Sequence, residues 1–346
     1  MPEIRDQATP IDAGTPGGNG NGGAMRLIKR IGATVLMLAL LAWVVWRAWH
    51  DAQEIQWHTL DIRWGLLIAS GLLYGLGFIW QGIVWVLMMR MLGYRLAMLP
   101  GVRACAASQL GNYIPGKVFI VLFRVQVAAK YGVPGVPVAG SIALETLLRN
   151  MMAAVLAALG LYQVGAGMNY MWGLAILVLI SAVFAQPRVF HAIGDWVLRK
   201  LKRPQLPDRL TGPQVALLLF YYFVYWVIQC GAFFLMARST LGAELGALPL
   251  LSSALLASQL GSTLAVFAPV GLGAAEFTMA GVLALTGGIV SPYVLALMMR
   301  VWRTVFELLQ IGIVWLIPLP PPADEADAPA DADIAEAAAV VESASD

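Results

Sequence analysis

Residues 103–128 read RACAASQLGNYIPGKVFIVLFRVQVA, an apolar stretch broken in its middle by Asn112-Tyr113-Ile114-Pro115-Gly116-Lys117. Proline removes a backbone donor and glycine loosens a helix, so this spacing predicts two short helical pieces rather than one. A second stretch, 249–286, is broken in the same way at Pro269-Val270-Gly271-Leu272-Gly273. Irregular backbone at membrane depth is tolerated only inside protein or against a watery cavity. Both stretches therefore read as re-entrant hairpins, the first entering from the cytoplasm and the second from outside. The alternative is a pair of kinked spanning helices or partly interfacial ones.

The two breaks share a leader. Ala107-Ser108-Gln109-Leu110-Gly111-Asn112 recurs as Ala257-Ser258-Gln259-Leu260-Gly261-Ser262, differing only at the last position. Each copy follows two apolar segments and precedes one more. Because three spans precede the second half, it starts from the opposite side, which is the layout of an inverted repeat with a site between broken helices. The competing explanation is coincidence within a packing seam rich in small residues.

The surroundings of these stretches are those of a membrane protein. Hydrophobic residues make up 60% of the chain and charged residues 12%, against about 25% charged in soluble domains. A mean hydropathy of +0.75 over 346 residues exceeds what one anchor helix supplies. About 18 mostly apolar residues suffice to span the hydrocarbon core, and six stretches qualify: 27–49, 64–89, 138–163, 169–186, 214–237 and 292–317. The fold expected is all-α and polytopic, with six transmembrane helices plus two re-entrant broken hairpins. Residues 1–24 form a disordered leader, 25–163 the first repeat with hairpin 103–128, 164–318 the second with hairpin 249–286, and 319–346 a disordered acidic tail. The tail is rich in Ala, Asp, Glu and Pro and has too few large apolar groups to offset its ordering entropy. The first apolar run ends in Trp46-Arg47-Ala48-Trp49-His50, without a small-residue cleavage site, and reads as an uncleaved helix.

Lysine and arginine placement sets orientation. With the N-terminus inside, sixteen fall on the cytoplasmic side, Arg124 and the basic loop 188–209 among them, and only Arg47, Arg63 and Arg238 fall outside. The expected topology is N-in and C-in, in the inner (cytoplasmic) membrane. Cys105 and Cys230 read as small buried hydrophobes. The three histidines show no ligand pattern, and neither metal, cofactor nor nucleic acid is expected.

Charges inside apolar segments are the candidates for function. Glu145, Arg149, Glu276, Arg300, Arg303 and Glu307 each cost about 2.5–3.5 kcal/mol at a helix centre unless paired or hydrated. Glu145 and Arg149 are four apart, as are Arg303 and Glu307, so each is either an internal ion pair or a group facing substrate. Arginine offers a planar fork to phosphate. Arg300 has no partner at helical spacing and is the leading substrate contact, unless it pairs with Glu145 or Glu276 across the bundle. Lys117, beside Pro115 and Gly116, either meets an anion at a half-helix start or snorkels to headgroups. Glu276 either caps the helix after Gly273 or joins the site. Asn112 and Gln109 either bind substrate or satisfy freed backbone.

At Gly111-Asn112-Tyr113-Ile114-Pro115-Gly116-Lys117 and Pro269-Val270-Gly271-Leu272-Gly273-Ala274-Ala275-Glu276, followed by Arg300, the chain resembles the flippase-like, or lysylphosphatidylglycerol synthase transmembrane, family over residues 25–318. The resemblance implies an inverted-repeat fold with re-entrant helices and a role in moving polar-headed lipids between leaflets. It carries the family's motif positions to Asn112, Pro115, Gly116, Glu145, Pro269, Gly271, Gly273, Glu276 and either Arg300 or Arg303. Only a short acidic tail follows Pro322, with no aminoacyl-transfer domain, so synthesis of aminoacylated lipid is not expected. The function expected is translocation of an anionic lipid or lipid-linked precursor. The alternatives are an ion-coupled transporter of a small solute and a non-transporting scaffold. A lipid-modifying enzyme ranks below these, because no catalytic constellation stands out.

Overall fold

The computed structural model describes residues 62–113, 118–200, 209–265, 273–286 and 292–316, together with Trp46 and Trp49. Among them the chain is helical and carries no strand. The leader 1–24, the expected span 27–49 apart from the two exposed tryptophans, and the tail 319–346 lie outside the described residues, as do the two breaks at 114–117 and 266–272.

Ten α-helices follow in order: α1 (Trp64–Met91), α2 (Met98–Ser108), α3 (Val118–Ala129), α4 (Gly135–Gln163), α5 (Met168–Ala185), α6 (Pro187–Lys200), α7 (Gly212–Leu241), α8 (Leu248–Leu264), α9 (Ala274–Leu283) and α10 (Pro292–Leu316). Helices α1, α4, α5 and α7 meet the length and apolarity needed to cross a bilayer, as the sequence predicts for 64–89, 138–163, 169–186 and 214–237. At 25 residues α10 is also long enough, but it carries three charged side chains. The chain is a multi-pass membrane protein. Helix α5 makes the point most directly: Tyr170, Trp172, Ile176, Leu179, Ile180, Val183 and Phe184 are all exposed, a surface suited to lipid and not to water.

Each broken stretch resolves into two helices packed on one another, α2 against α3 and α8 against α9. A short 3-10 turn, Gln109–Tyr113, ends the first leading limb. The second leading limb is longer than a shallow hairpin needs. With the turn that precedes it, it runs Leu245–Leu264, 20 residues, enough to cross alone, whereas its return limb α9 has only 10. The repeated leader has a steric reason. A Cβ on Gly111 would lie 2.5 Å from the Ile120 amide nitrogen on α3, and one on Gly261 would lie 2.6 Å from Thr278 Oγ1 on α9. At the same place in the two copies of the leader, absence of a side chain lets the following helix close on the preceding one.

The central packing joins the halves. Helices α1 and α7 lie against each other along much of their length, with Trp80 Nε1 donating to the Tyr221 carbonyl at 2.9 Å. Helix α4 crosses to α8, where Ser253 Oγ donates to the Ala157 carbonyl at 3.3 Å. Helix α10 reaches back to α1 and α2, and Trp302 Nε1 donates to Ser70 Oγ at 3.0 Å. One buried cluster, around Trp85, Met88, Leu144, Leu148 and Tyr222, joins α1, α4 and α7. A second, around Tyr74, Phe233, Leu251, Met279 and Trp302, joins α1 to the second half.

The segment expected as a basic loop, 188–209, is instead helical over Pro187–Lys200. Its apolar residues, Val189, Ile193, Trp196 and Val197, recur at helical spacing, but short length and flanking charge conceal the pattern.

Candidate functional site

The deepest polar cluster grows from α4. Glu145 is buried at 2% exposure and its carboxylate accepts from Arg124 on α3, in a close ion pair, and from Gln81 Nε2 on α1 at 2.5 Å. Arg124, equally buried, also donates from Nε to Ser108 Oγ at 3.1 Å and from Nη2 to Cys105 Sγ at 3.1 Å, and its guanidinium stacks 4.9 Å from the Trp85 ring centroid. Three helices thus satisfy one buried arginine, the condition for holding such a charge in an apolar interior. One turn on, Arg149 Nη1 lies 3.7 Å from Glu145 Oε1, so the pair expected from i,i+4 spacing exists but is secondary to Arg124. Arg149 is 18% exposed, and its Nε is buried with no hydrogen-bond partner among the described residues.

Two further pairs lie in the second half. Gly273 adopts φ +81°, a left-handed conformation that favours glycine, and starts α9. Its N–H donates to Glu276 Oε2 at 2.7 Å, while Glu276 Oε1 sits 3.1 Å from Arg300 Nη1 on α10. Glu276 therefore does both things its position suggests: it caps the half-helix with one oxygen and holds an arginine with the other. Arg300, the leading substrate contact from sequence, pairs with Glu276 across the bundle. Arg303 Nε lies 3.8 Å from Glu307 Oε2, the second expected i,i+4 pair.

A pattern unites the three. The carboxylates of Glu145, Glu276 and Glu307 are 1–3% exposed, whereas Arg149, Arg300 and Arg303 are 15–22% exposed. Each buried acid is paired with an arginine whose side chain is partly exposed. Two contacts tie these residues to the helices on either side of the second broken stretch. Thr263 at the end of α8 donates to Asn150 Oδ1, beside Arg149, at 3.4 Å, and Glu276 at the start of α9 holds Arg300. Tyr225 on α7 lies within the electrostatic reach of both Arg149 and Arg303.

Of the other expected site residues, Asn112 falls in the 3-10 turn Gln109–Tyr113. Pro115, Gly116, Lys117, Pro269 and Gly271 lie outside the described residues. Arg124, counted among the cytoplasmic-side cations, is buried in the ion pair. Sequence reading missed it as Glu145's main partner, although an arginine between Val-Leu-Phe and Val-Gln-Val, inside a return limb, was the available signal. Gln81 and Trp85 gave no signal apart from the fold.

The family described as the lysylphosphatidylglycerol synthase TM region matches residues 31–309, well over half the chain. The chain belongs to this family. The span that matches the lysylphosphatidylglycerol synthase TM region takes in every one of the buried ion pairs above. Membership identifies a membrane protein associated with lipid metabolism or translocation. No curated protein matches the chain.

Proposed function

We propose that this protein moves a lipid or lipid-linked precursor with an anionic polar headgroup between leaflets. The observation that carries the reading is the arrangement of three partly exposed arginine side chains, each anchored by a buried carboxylate. A carboxylate held against an arginine fixes the orientation of its planar fork, the group that meets phosphate best. Because Glu145 is shared by Arg124 and Arg149, four arginines face three carboxylates, and the small net positive charge attracts an anionic headgroup without holding it too tightly for release. The protein does no covalent chemistry in this reading and needs no cofactor.

The architecture we infer is six spans, N-in and C-in, in two inverted halves, each with a re-entrant broken stretch, in the cytoplasmic membrane. Supporting it, the order long helix, broken pair, long helix occurs twice (α1, α2–α3, α4 and α7, α8–α9, α10), and the exchange is reciprocal, α4 packing on α8 and α10 on α2. Inverted repeats of this kind place the site between broken helices.

Arg149→Gln is the cleanest test, because Glu145 keeps Arg124 and Gln81 when Arg149 loses its charge. In vesicles holding a headgroup-labelled anionic phospholipid, leaflet exchange measured by a membrane-impermeant quencher should slow about tenfold, the loss of roughly one charge-assisted contact. Unchanged exchange in both Arg149→Gln and Arg300→Ala would remove these arginines from the path. Uptake of a soluble anion without lipid exchange would assign the protein to small-solute transport.

A further inference from the structure

Helix α6 is turned the opposite way to a helix facing water. His191, Asp195 and Leu198 are buried against the protein, while Val189, Ile193 and Trp196 line the outer side, Ile193 at 45% and Trp196 at 58% exposure. Lys200 Nζ stands 5.4 Å from the Trp196 ring centroid. An apolar outward face with tryptophan and flanking basic residues is the composition of a helix lying in the headgroup layer.

Two adjoining depressions run along this helix. The first is an open cleft of about 470 Å³ between α6 and the chain entering α7, lined by Arg188, His191, Asp195, Arg199 and Arg209 among others. Asp195 is already engaged, its Oδ2 2.9 Å from Arg209 Nη2, so three arginines leave the cleft positive. The Leu210 N–H donates to His191 Nε2 at 2.7 Å. The neutral ring therefore carries its proton on Nδ1, and that nitrogen is buried with no partner among the described residues, on a side chain only 4% exposed. Burial and the nearby Arg209 lower the His191 pKa, which keeps the ring in that neutral, donating form. The cleft also reaches Arg188 in the first turn of α6, where free N–H groups favour an anion. The second depression, about 430 Å³, shares Arg188 and Ala192 with the first and continues along Val189, Ile193 and Trp196.

We propose that α6 holds a resident anionic phospholipid, its phosphate in the arginine cleft and an acyl chain along the groove beside Trp196. A basic, donor-lined cleft opening into an apolar groove fits an amphiphile, and a free phosphate would leave the groove empty. This site is separate from the ion pairs of the bundle and does not rest on the transport reading.

The test places a benzophenone-bearing amino acid at position 193 of the full chain, in nanodiscs of equal phosphatidylglycerol and phosphatidylcholine. After irradiation the lipid adducts are identified by mass spectrometry. Phosphatidylglycerol adducts should exceed phosphatidylcholine adducts by about fivefold, the factor that one basic residue at an anionic surface supplies. Arg188→Gln with Arg199→Gln, both exposed positions, should return the ratio to that of the bulk bilayer, and Arg188→Glu should push it lower still. Lys130→Gln, which removes an exposed charge outside the cleft, should leave it unchanged. Absence of lipid adducts, adducts in the bulk ratio for the unaltered cleft, or enrichment that survives loss of both arginines would each overturn the proposal.

Discussion

Breaking the Arg124–Glu145 pair from one side should cost more than breaking it from the other. Replacing Glu145 with Gln leaves Arg124 and Arg149 both without their shared carboxylate, in a site where Glu145 and Arg124 are each 2% exposed. Removing one partner of a buried pair costs about 3–5 kcal/mol, and the remaining contacts of Arg124 with Ser108, Cys105 and Trp85 set the lower end of that range. Replacing Arg124 with Met leaves Glu145 with Gln81 at 2.5 Å and Arg149 at 3.7 Å. A charge pair near 4 Å is worth about 4 kcal/mol at an effective dielectric of ~20. Arg149 thus offsets part of the loss, and this variant should cost about 2 kcal/mol. The double variant leaves Arg149, 18% exposed, as the one charge of the cluster and should recover to within about 2 kcal/mol of the parent, because the fully buried pair is then replaced by neutral groups. Reversible unfolding in mixed detergent micelles, followed by tryptophan fluorescence, gives all four corners of the cycle. A cost for Arg124→Met equal to or above that for Glu145→Gln, or strict additivity in the double variant, would refute the placing of Arg149 as Glu145's reserve partner.

Other substitutions test other parts of the fold. Gly111→Ala drives a methyl against the Ile120 and Phe119 backbone, which has no rotamer to yield, and should cost about 3 kcal/mol; Gly261→Ala meets both branches of the Thr278 side chain, Oγ1 at 2.6 Å and Cγ2 at 2.8 Å, and should cost about 2 kcal/mol, both by thermal melting. Trp302→Phe removes the donor to Ser70 and should cost about 1 kcal/mol in the same assay, since Ser70 keeps its own bond to the Leu67 carbonyl at 2.6 Å. His191, with its pKa held below 6.5 by burial and then by Arg209, against the opposing pull of Asp195, is neutral in the folded state. The unfolded chain takes up the proton first as pH falls, so the stability this residue contributes is full above about pH 6.5, declines below it, and levels off once the folded ring protonates. Hydrogen exchange at the Leu210 amide should lose protection over that window, and His191→Gln should flatten the response.

The long spans were legible because length and apolarity alone define them: α1, α4, α5 and α7 fall where runs of apolar residues do. Helical spacing also gave two real pairs, Glu145 with Arg149 and Arg303 with Glu307. What spacing cannot give is a partner on another helix. Arg124 meets Glu145 only because α3 folds back on α4, so in sequence the two residues show only as a cytoplasmic-side cation and a local i,i+4 contact. Arg300's pairing with Glu276 was one of two open readings for the same reason, each residue being ordinary on its own helix. Helix α6 escaped notice because its polar residues face inward and its basic ends resemble a connecting loop.

The pairing of Glu276 with Arg300 bears on how the chain is made. Helix α9 alone carries one uncompensated acid, and α10 alone has two arginines against one acid. Each would leave the insertion machinery with a single stranded charge, at about 2.5–3.5 kcal/mol on translocon scales. Together they are neutral. The two helices should therefore partition into lipid as one unit, and α9 truncated before α10 should insert less well than the pair, as a glycosylation-mapped insertion assay would read.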